Sequence, residues 1–328
     1  MRRSARAAAA SITFIVGLLC AAGAVRAGAL DPTDHVPGHL TVTYFDLVKQ
    51  IVPDLDSLPV PGLPKVGEPT AHAIVPYRHI EGDDAKTVPA GPVAIQLLTA
   101  LTIKADGKSR LTLMIDLGPS DEAVTEFTLL ALFDMADQPK LLDVVEVGTD
   151  RLTGFAGKPL PLGQGHKNGA DLITIDSDHF NSNEDFVGTE FIFARNNRFQ
   201  LAGSLFTFDV RLCASRRSQE PVITTAADPG RRYRKIRVAV NESVTLEPDR
   251  ADCSGERIPR PFRRTYHAIY RWNAARKHFE IASSDLQKLD RENKRLISGG
   301  LLRRKARRSQ RPFLVNSSFT RRRYHRSR

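Results

Sequence analysis

Cysteine and tryptophan are scarce in this chain, which has three cysteines and one tryptophan in 328 residues. Cys20 falls in the apolar N-terminal segment, so Cys213 and Cys253 are the pair that remains in the rest of the chain. Their spacing, with the histidines distant, does not match a structural zinc site. We expect a disulfide, because an even pair in an exported protein is most simply bridged. Two buried thiols, or half of a metal site, are the alternatives.

Long apolar runs are also missing: after the N-terminus no stretch of about 18 apolar residues could form a membrane-spanning helix. The N-terminus has the three parts of an export signal, namely a basic start, the apolar residues 7–19 and small residues before a cleavage point. We therefore predict a signal peptide at 1–27, cut after Ala27, and a periplasmic or secreted protein. Lipoprotein and twin-arginine signals fit less well, since the residues around Cys20 and after Arg3 lack their patterns.

Motifs of nucleophilic catalysis do not occur: the chain has neither G-x-S-x-G nor H-E-x-x-H. The triplet Gly107-Lys108-Ser109 resembles the end of a phosphate-binding loop, but Thr102 stands where the first glycine of that motif belongs. Asp106-Gly107 instead predicts a tight hairpin turn. Enzyme activity stays an open question, and a non-catalytic protein is favoured.

Acidic residues are absent from residues 294–328, which hold 13 Lys or Arg, whereas residues 28–293 hold 31 Lys or Arg against 37 Asp or Glu. A segment so charged and so poor in apolar pattern is predicted to be disordered. Its arginine clusters, with Phe313, Phe319 and Tyr324 interleaved, would bind a polyanion. The candidate residues are Arg303, Arg304, Lys305, Arg307, Arg308, Arg321, Arg322 and Arg323. An anionic envelope surface or glycan is the expected partner, with a merely solvated tail as the alternative; specific nucleic acid is not expected outside the cytoplasm.

Alternating and apolar runs between residues 93 and 282 predict strands. A pattern of three strands, with an aromatic residue before the hairpin turn, recurs three times: 110–117, 126–133 and 140–147; 171–176, 189–193 and 198–208; 233–240, 266–272 and 278–282. We predict a mainly β protein of antiparallel β-meander units, propeller-like or else sandwich-like. The proposed disulfide would join the second and third units.

Two short helices are predicted to flank the strands. Thr43 would cap the first, which Pro53 would end, and a capping box at Ser284 would start the second over residues 285–297. The proline-rich segment 28–92 carries the first helix, followed from Leu55 to Glu68 by an extended linker or a strap on the domain surface. The β-rich domain spans 93–298, and the basic tail spans 299–328.

The segment Asp-Ser-Asp-His-Phe-Asn-Ser-Asn-Glu-Asp-Phe at 176–186 contains three aspartates, a glutamate, a histidine and two asparagines. We interpret it as a polar connector, because Asp, Asn and Ser are typical of loops. An irregular calcium site is the alternative, with the ligands Asp176, Asp178, Asn181, Asn183 and Asp185. A carboxylate-based hydrolase centred on the 176–185 loop is a further alternative. No other cofactor is expected, and the leading interpretation is a non-catalytic, envelope-associated binding protein of unknown ligand.

Overall fold

The computed structural model describes residues 29–53, 55, 74–82, 95–119, 126–148, 150, 152–165, 169–180, 183–212, 214–247 and 260–298. The predicted signal peptide, Asn181, both cysteines of the predicted disulfide and the basic tail lie outside these residues. Ala214, the neighbour of Cys213, accepts a hydrogen bond of 2.8 Å from the backbone N–H of Glu247. The disulfide, the tail and the export signal therefore stay predictions.

The first sheet has five strands, which are β1 (Arg78–His79), β2 (Leu97–Ala105), β3 (Lys108–Pro119), β4 (Glu126–Asp134) and β5 (Lys140–Val147). Their order is β1-β5-β4-β3-β2. The pairs are antiparallel, except that β1 runs parallel to β5. Asp106 and Gly107 form the turn between β2 and β3 with φ angles of 49° and 78°, as a tight hairpin requires.

The second sheet has nine strands: β6 (Leu152–Phe155), β7 (Leu160–Pro161), β8 (Asp171–Phe180), β9 (Glu184–Arg195), β10 (Arg198–Leu212), β11 (Ser215–Ala226), β12 (Lys235–Leu246), β13 (Phe262–Asn273) and β14 (His278–Ser284). They follow the order β14-β13-β12-β11-β10-β9-β8-β6, with β7 also paired to β8. Every pair is antiparallel.

The mainly β, antiparallel prediction is confirmed, as are the three meander units, which correspond to β3-β4-β5, β8-β9-β10 and β12-β13-β14. The strands pack in layers, which corresponds to the sandwich-like alternative. Apolar side chains of β2 to β5 share one core with those of β6 and β8 to β10. The other face of β8 to β10 shares a second core with β12, β13 and β14. The long sheet thus folds back on itself between β10 and β11.

That fold-back is visible in the strand pairing. β10 pairs with β11 only from Asp209 to Leu212. The earlier part of β10 is not paired with β11, and β10 also contacts β14. Thr207 and Phe208 are neighbours in sequence, and both are buried. Because neighbouring side chains in a strand point to opposite faces, β10 is covered on both sides at this point.

The first helix, α1 (Tyr44–Lys49), covers the outer face of the five-stranded sheet. Thr43 caps it as predicted, in a capping box with Asp46. Leu47, Val48 and Leu55 are fully buried in a third core with β2 to β5. Leu55, expected to begin an extended linker, is therefore part of the core.

The second helix, α2 (Leu286–Ser298), begins one residue later than predicted, and the Ser284 hydroxyl accepts a hydrogen bond from the Leu286 N–H. It occupies the opening left where β10 and β11 separate. Asn293 donates to the backbone oxygen of Phe206 in β10 (3.3 Å) and accepts from Gln219 in β11 (2.8 Å). Gln219 in turn donates to the fully buried carboxylate of Glu242 (3.0 Å). Helix and sheet are thus joined by a buried polar network.

The polar connector predicted at 176–186 is wrong in its extent. Residues 176–180 continue β8, and residues 184–186 begin β9, so both ends of the segment are strand. The loop prediction relied on the many Asp, Asn and Ser residues of this segment. In the structure, backbone hydrogen bonds from β8 to β6 and β9 outweigh the weak strand propensity of Asp and Ser.

Candidate functional site

The acidic segment forms the outer half of the β8–β9 hairpin. Asp176 and Asp178 are two residues apart in β8, so they share one face at a spacing of roughly 7 Å. Asp185 lies opposite Phe180 and shares that face. The Thr189 hydroxyl donates to Asp176 Oδ1 at 2.6 Å. These carboxylates are therefore spread along a strand pair instead of being gathered around a point.

The other face of the same hairpin carries hydroxyl and imidazole groups. Thr153 and Ser177 share a buried hydrogen bond of 2.9 Å, and His179 Nδ1 lies 2.9 Å from Asp150 Oδ1. Among the described residues, no three His, Cys, Asp or Glu side chains come together as metal ligands. The calcium site, whose proposed ligands include Asn181 and Asn183, stays a prediction.

Aromatic rings lie on both faces of this part of the hairpin. Phe180, on the face of Asp176 and Asp178, is 63% exposed, whereas Phe186 and Phe206 stack on the His179 face with ring centroids 6.1 Å apart. Residues 171–194 contain six Asp or Glu and no Lys or Arg. We name this outer half of the β8–β9 hairpin, with Asp176, Asp178, Phe180 and Asp185 on one face and Glu184 on the other, the acidic edge.

A second polar surface lies at the opposite end of the strands, where β9 turns into β10 and β13 turns into β14. Tyr233 and Trp272 pack edge to face there, with ring centroids 4.8 Å apart. The Arg195 guanidinium lies 5.1 Å from the Trp272 ring centroid, and that of Arg232 lies 5.3 Å from the Tyr233 ring centroid. Both distances are typical of cation–π contacts.

Two more arginines complete this cluster. Arg231 donates from Nη1 to the backbone oxygen of Trp272 (2.5 Å), and its Nε lies 3.3 Å from Asp228 Oδ2. Arg271 Nε lies 3.5 Å from the same carboxylate oxygen. We name the surface formed by Arg195, Arg231, Arg232 and Arg271 the arginine end.

The arginine end has more positive than negative charge. Among the described residues, three of its four guanidinium groups form ion pairs with two carboxylates, those of Asp228 and Asp106; Asp106 lies 3.2 Å from Arg232. The side chains of Arg231, Arg232 and Arg271 are 39–43% exposed. Opposite Arg195 in the β9–β10 pairing lies the exposed Arg198, which adds to the charge.

Aromatic packing holds these arginines in place. Burial raises the pKa of Tyr233, and the neighbouring charges of Arg232 and Arg195 offset this only in part. The phenol therefore stays protonated at neutral pH and acts as a platform for the guanidinium groups. The buried Nε of Arg195 has no hydrogen-bond acceptor within the part of the chain that the structure describes.

Sequence reasoning missed the arginine end because it averaged charge over the whole β body. A local count would have found it, since residues 228–237 contain five Lys or Arg and one acid. The contribution of Arg195 and Arg271, which come from two other strands, has no signal in the sequence.

Comparisons with known proteins assign no family to this arrangement: no family model, no curated protein and no solved structure matches the chain. In the described part of the chain, none of the helices has the length and apolar character needed to cross a membrane.

Proposed function

We propose that this protein is an exported, non-catalytic binding protein that attaches to a polyanionic surface of the cell envelope. Two basic elements would make the contact: the arginine end on the folded body and the C-terminal tail beginning at residue 299. The observation that carries the proposal is the cluster of four arginines, from three separate segments, against two carboxylates.

The geometry suits dense anionic groups such as phosphates or carboxylates. Guanidinium groups pair with either group through two parallel hydrogen bonds, and the stacking of Arg232 on Tyr233 and of Arg195 on Trp272 reduces the conformational entropy that these two side chains lose on binding. Such a surface recognises a high density of negative charge more than a particular molecule. An anionic envelope lipid and an acidic glycan would therefore both be suitable ligands. The tail would add further contacts of the same chemistry.

The test is binding of the mature full-length chain to two kinds of polyanion. Vesicles containing an anionic phospholipid supply phosphates, an immobilised polyuronate supplies carboxylates, and zwitterionic vesicles serve as the blank. We expect binding that weakens steeply as NaCl rises from about 50 to about 500 mM, because the contacts are screened. The arm that binds more tightly identifies the source of the anion.

A charge-matched comparison locates the contact. Arg231→Gln with Arg232→Gln is expected to weaken binding roughly 10- to 30-fold, since each basic residue near an anionic surface contributes about 1 kcal/mol. Lys288→Gln with Lys294→Gln removes the same charge from exposed positions on α2 and should have a much smaller effect. Equal losses in the two double variants, or no binding at low salt, would refute the proposal.

A further inference from the structure

One side of the folded-back half of the long sheet faces away from the second core. Ile236, Val238 and Val240 of β12 lie in that core, so the alternate residues of β12 point outward. Both β11 and β13 pair with β12 residue by residue, which brings their own outward residues beside those of β12. We name this surface the outer face; its residues are Ser218, Glu220, Val222, Thr224 and Ala226 of β11, Lys235, Arg237, Ala239, Asn241 and Ser243 of β12, and Arg263, Thr265, His267, Ile269 and Arg271 of β13.

The outer face is basic. It carries Lys235, Arg237, Arg263 and Arg271 against one acid, Glu220. Arg237 and Arg263 are exposed, and neither they nor Lys235 form an ion pair with a residue that the structure describes. The charge of these three side chains is therefore available to an anion from solution.

The outer face continues the arginine end. Arg271 belongs to both surfaces, and its Nε lies 3.5 Å from the Asp228 carboxylate oxygen that Arg231 Nε also approaches, at 3.3 Å. The register of β12 and β13 places Lys235 beside Arg271, with Arg237 next along the same face. A ligand held at the arginine end therefore meets further positive charge where it passes onto the outer face.

The basic residues are spread along the strands. Arg263 lies opposite Ser243, which is eight residues from Lys235 along β12. At roughly 3.4 Å per residue, this separation is about 27 Å. A single phosphate or carboxylate cannot bridge such a distance, so a ligand that uses the whole face must carry several anionic groups.

The side chains between the basic residues suit the hydroxyl groups of sugars. The Thr265 hydroxyl donates to Asn241 Oδ1 at 3.0 Å, and the hydroxyls of Ser218 and Ser243 lie 3.1 Å apart. Within the part of the chain that the structure describes, the N–H groups of the Asn241 amide have no acceptor. These N–H groups and the hydroxyl lone pairs can therefore bind a ligand.

A lipid bilayer fits this face less well. Surfaces that bind a bilayer insert aromatic or long aliphatic side chains between the headgroups. The largest exposed apolar side chain of the outer face is that of Val222, which is 48% exposed, and its one aromatic ring is the imidazole of His267. Positive charge and hydrogen-bonding groups without apolar anchors favour an acidic polysaccharide.

We propose that the outer face binds a linear acidic polysaccharide. Its carboxylates would contact Arg237, Arg263 and the arginine end, while its hydroxyls would contact Asn241 and Thr265. The polymer would run along β12, and the arginine end would hold one end of the bound segment. This inference rests on the proposed function, of which it names the ligand class.

The test compares two double variants of the mature full-length chain on immobilised polyuronate. Arg237→Gln with Arg263→Gln should weaken binding roughly 10- to 30-fold, because two charges of the outer face are lost. Lys49→Gln with Lys140→Gln removes two exposed lysines of α1 and β5 and should have little effect. An unchanged affinity in the first variant, or equal losses in both, would overturn the inference, and the arginine-end variant still tests the proposed function separately.

A charge-neutral variant tests recognition of the sugar itself. Asn241→Ala with Thr265→Ala removes hydrogen-bonding groups and no charge. We expect roughly 5- to 10-fold weaker binding to polyuronate and unchanged binding to anionic phospholipid vesicles, because these hydrogen bonds form only with the sugar. Equal losses on both ligands, or no loss on polyuronate, would contradict the proposed contact.

The vesicles also separate this inference from the proposed function. Polyuronate binding that exceeds vesicle binding and depends on Arg237 and Arg263 supports the inference. Stronger vesicle binding that depends on the same two arginines would assign the outer face to lipid, which overturns the inference and leaves the proposed function standing. Absence of binding to either polyanion at low salt would refute both.

Discussion

Gly203 and Tyr270 touch so closely that a methyl group at Gly203 would collide with the ring. A Cβ built on Gly203 would lie 2.6 Å from Cε1 of Tyr270. Gly203 stands beside an irregularity in the β9–β10 pairing, and Tyr270 belongs to β13 on the folded-back half of the sheet. This contact is where β10 and β13 approach each other across the second core.

Replacing Gly203 with alanine should therefore destabilise the protein. We expect a loss of about 1–3 kcal/mol in the free energy of unfolding, measured by urea denaturation, because the added methyl overpacks the contact. Gly154→Ala is the matched control, since nothing lies within 4 Å of a Cβ at that strand glycine. Adding Tyr270→Leu should recover part of the loss at Gly203; strictly additive effects would contradict the contact.

This contact also shows what sequence patterns can and cannot reveal. Alternation marks Tyr266, Tyr270 and Trp272 as one face of a strand, and that face is buried as such patterns imply. The pattern does not show which strands pack against these three side chains, because that depends on where β10 separates from β11. For the same reason, the sequence does not show that Gly203 contacts Tyr270.

Of the two polar surfaces, the sequence located the acidic edge but not the arginine end. Counting acids located the β8–β9 hairpin, but not its strand conformation, which pairing across β6, β8 and β9 determines. The arginine end joins residues up to 76 positions apart, from Arg195 to Arg271. Such a cluster exists only after the sheet folds back, so local spacing could not predict it.

Glu242 is the centre of the network that attaches α2. It accepts from Arg264 at 2.5 Å and from Arg217 at 2.7 Å, and its side chain is fully buried. Glu242→Gln would remove the buried carboxylate that both arginines share and leave them the more exposed Glu292, and we expect a loss of about 2–4 kcal/mol of unfolding free energy at pH 7. Glu220→Gln, at an exposed position in β11, should change it by less than about 0.5 kcal/mol.

The effect of Glu242 should depend on pH. Burial raises the pKa of this carboxyl, but hydrogen bonds from Arg264 and Gln219 and the charge of Arg217 hold it below its ordinary value. The stabilisation is therefore present above the ordinary pKa of about 4.5 and is lost as the pH falls through the lowered value. Urea titrations should show the wild-type advantage over Glu242→Gln shrinking below about pH 4.5; a constant difference would contradict this role.

Glu190 should have the opposite effect on the pH dependence of stability. Burial raises the pKa of Glu190 to about 7, with a further increase from the charge of Glu81 and an opposing effect of the Gly148 N–H. The folded state then binds a proton that the unfolded state has released, so its stability falls as the pH rises from about 4.5 through about 7.

Glu190→Gln should remove this penalty. In about 0.5 M NaCl, where long-range charge interactions are screened, we expect the variant to exceed the wild type in unfolding free energy by roughly 1–3 kcal/mol at pH 8 and to match it at pH 5. Glu81→Gln should move the wild-type transition to lower pH. A variant that is less stable than the wild type at pH 8 would show that the ionised carboxylate is favourable in the fold.

Calcium binding at the β8–β9 hairpin can be tested by melting temperature. Because the carboxylates are spread along the strands, we expect about 1 mM calcium chloride to leave the melting temperature unchanged, although extracellular calcium modules are substantially occupied at that concentration. Asp176→Asn with Asp178→Asn should likewise show no difference with or without calcium. A calcium-dependent rise that this double variant abolishes would establish the metal site instead.

Hydrogen exchange of the mature chain, with and without the polyanion that binds it, tests the central claim most directly. The claim is that the arginine end makes the contact, so added polyanion should slow exchange in residues 228–237 and 271–277. Residues 171–194, near the opposite end of the strands, should exchange at the same rate with and without the polyanion. Protection confined to residues 171–194, or no protection in either region while binding occurs, would contradict the account.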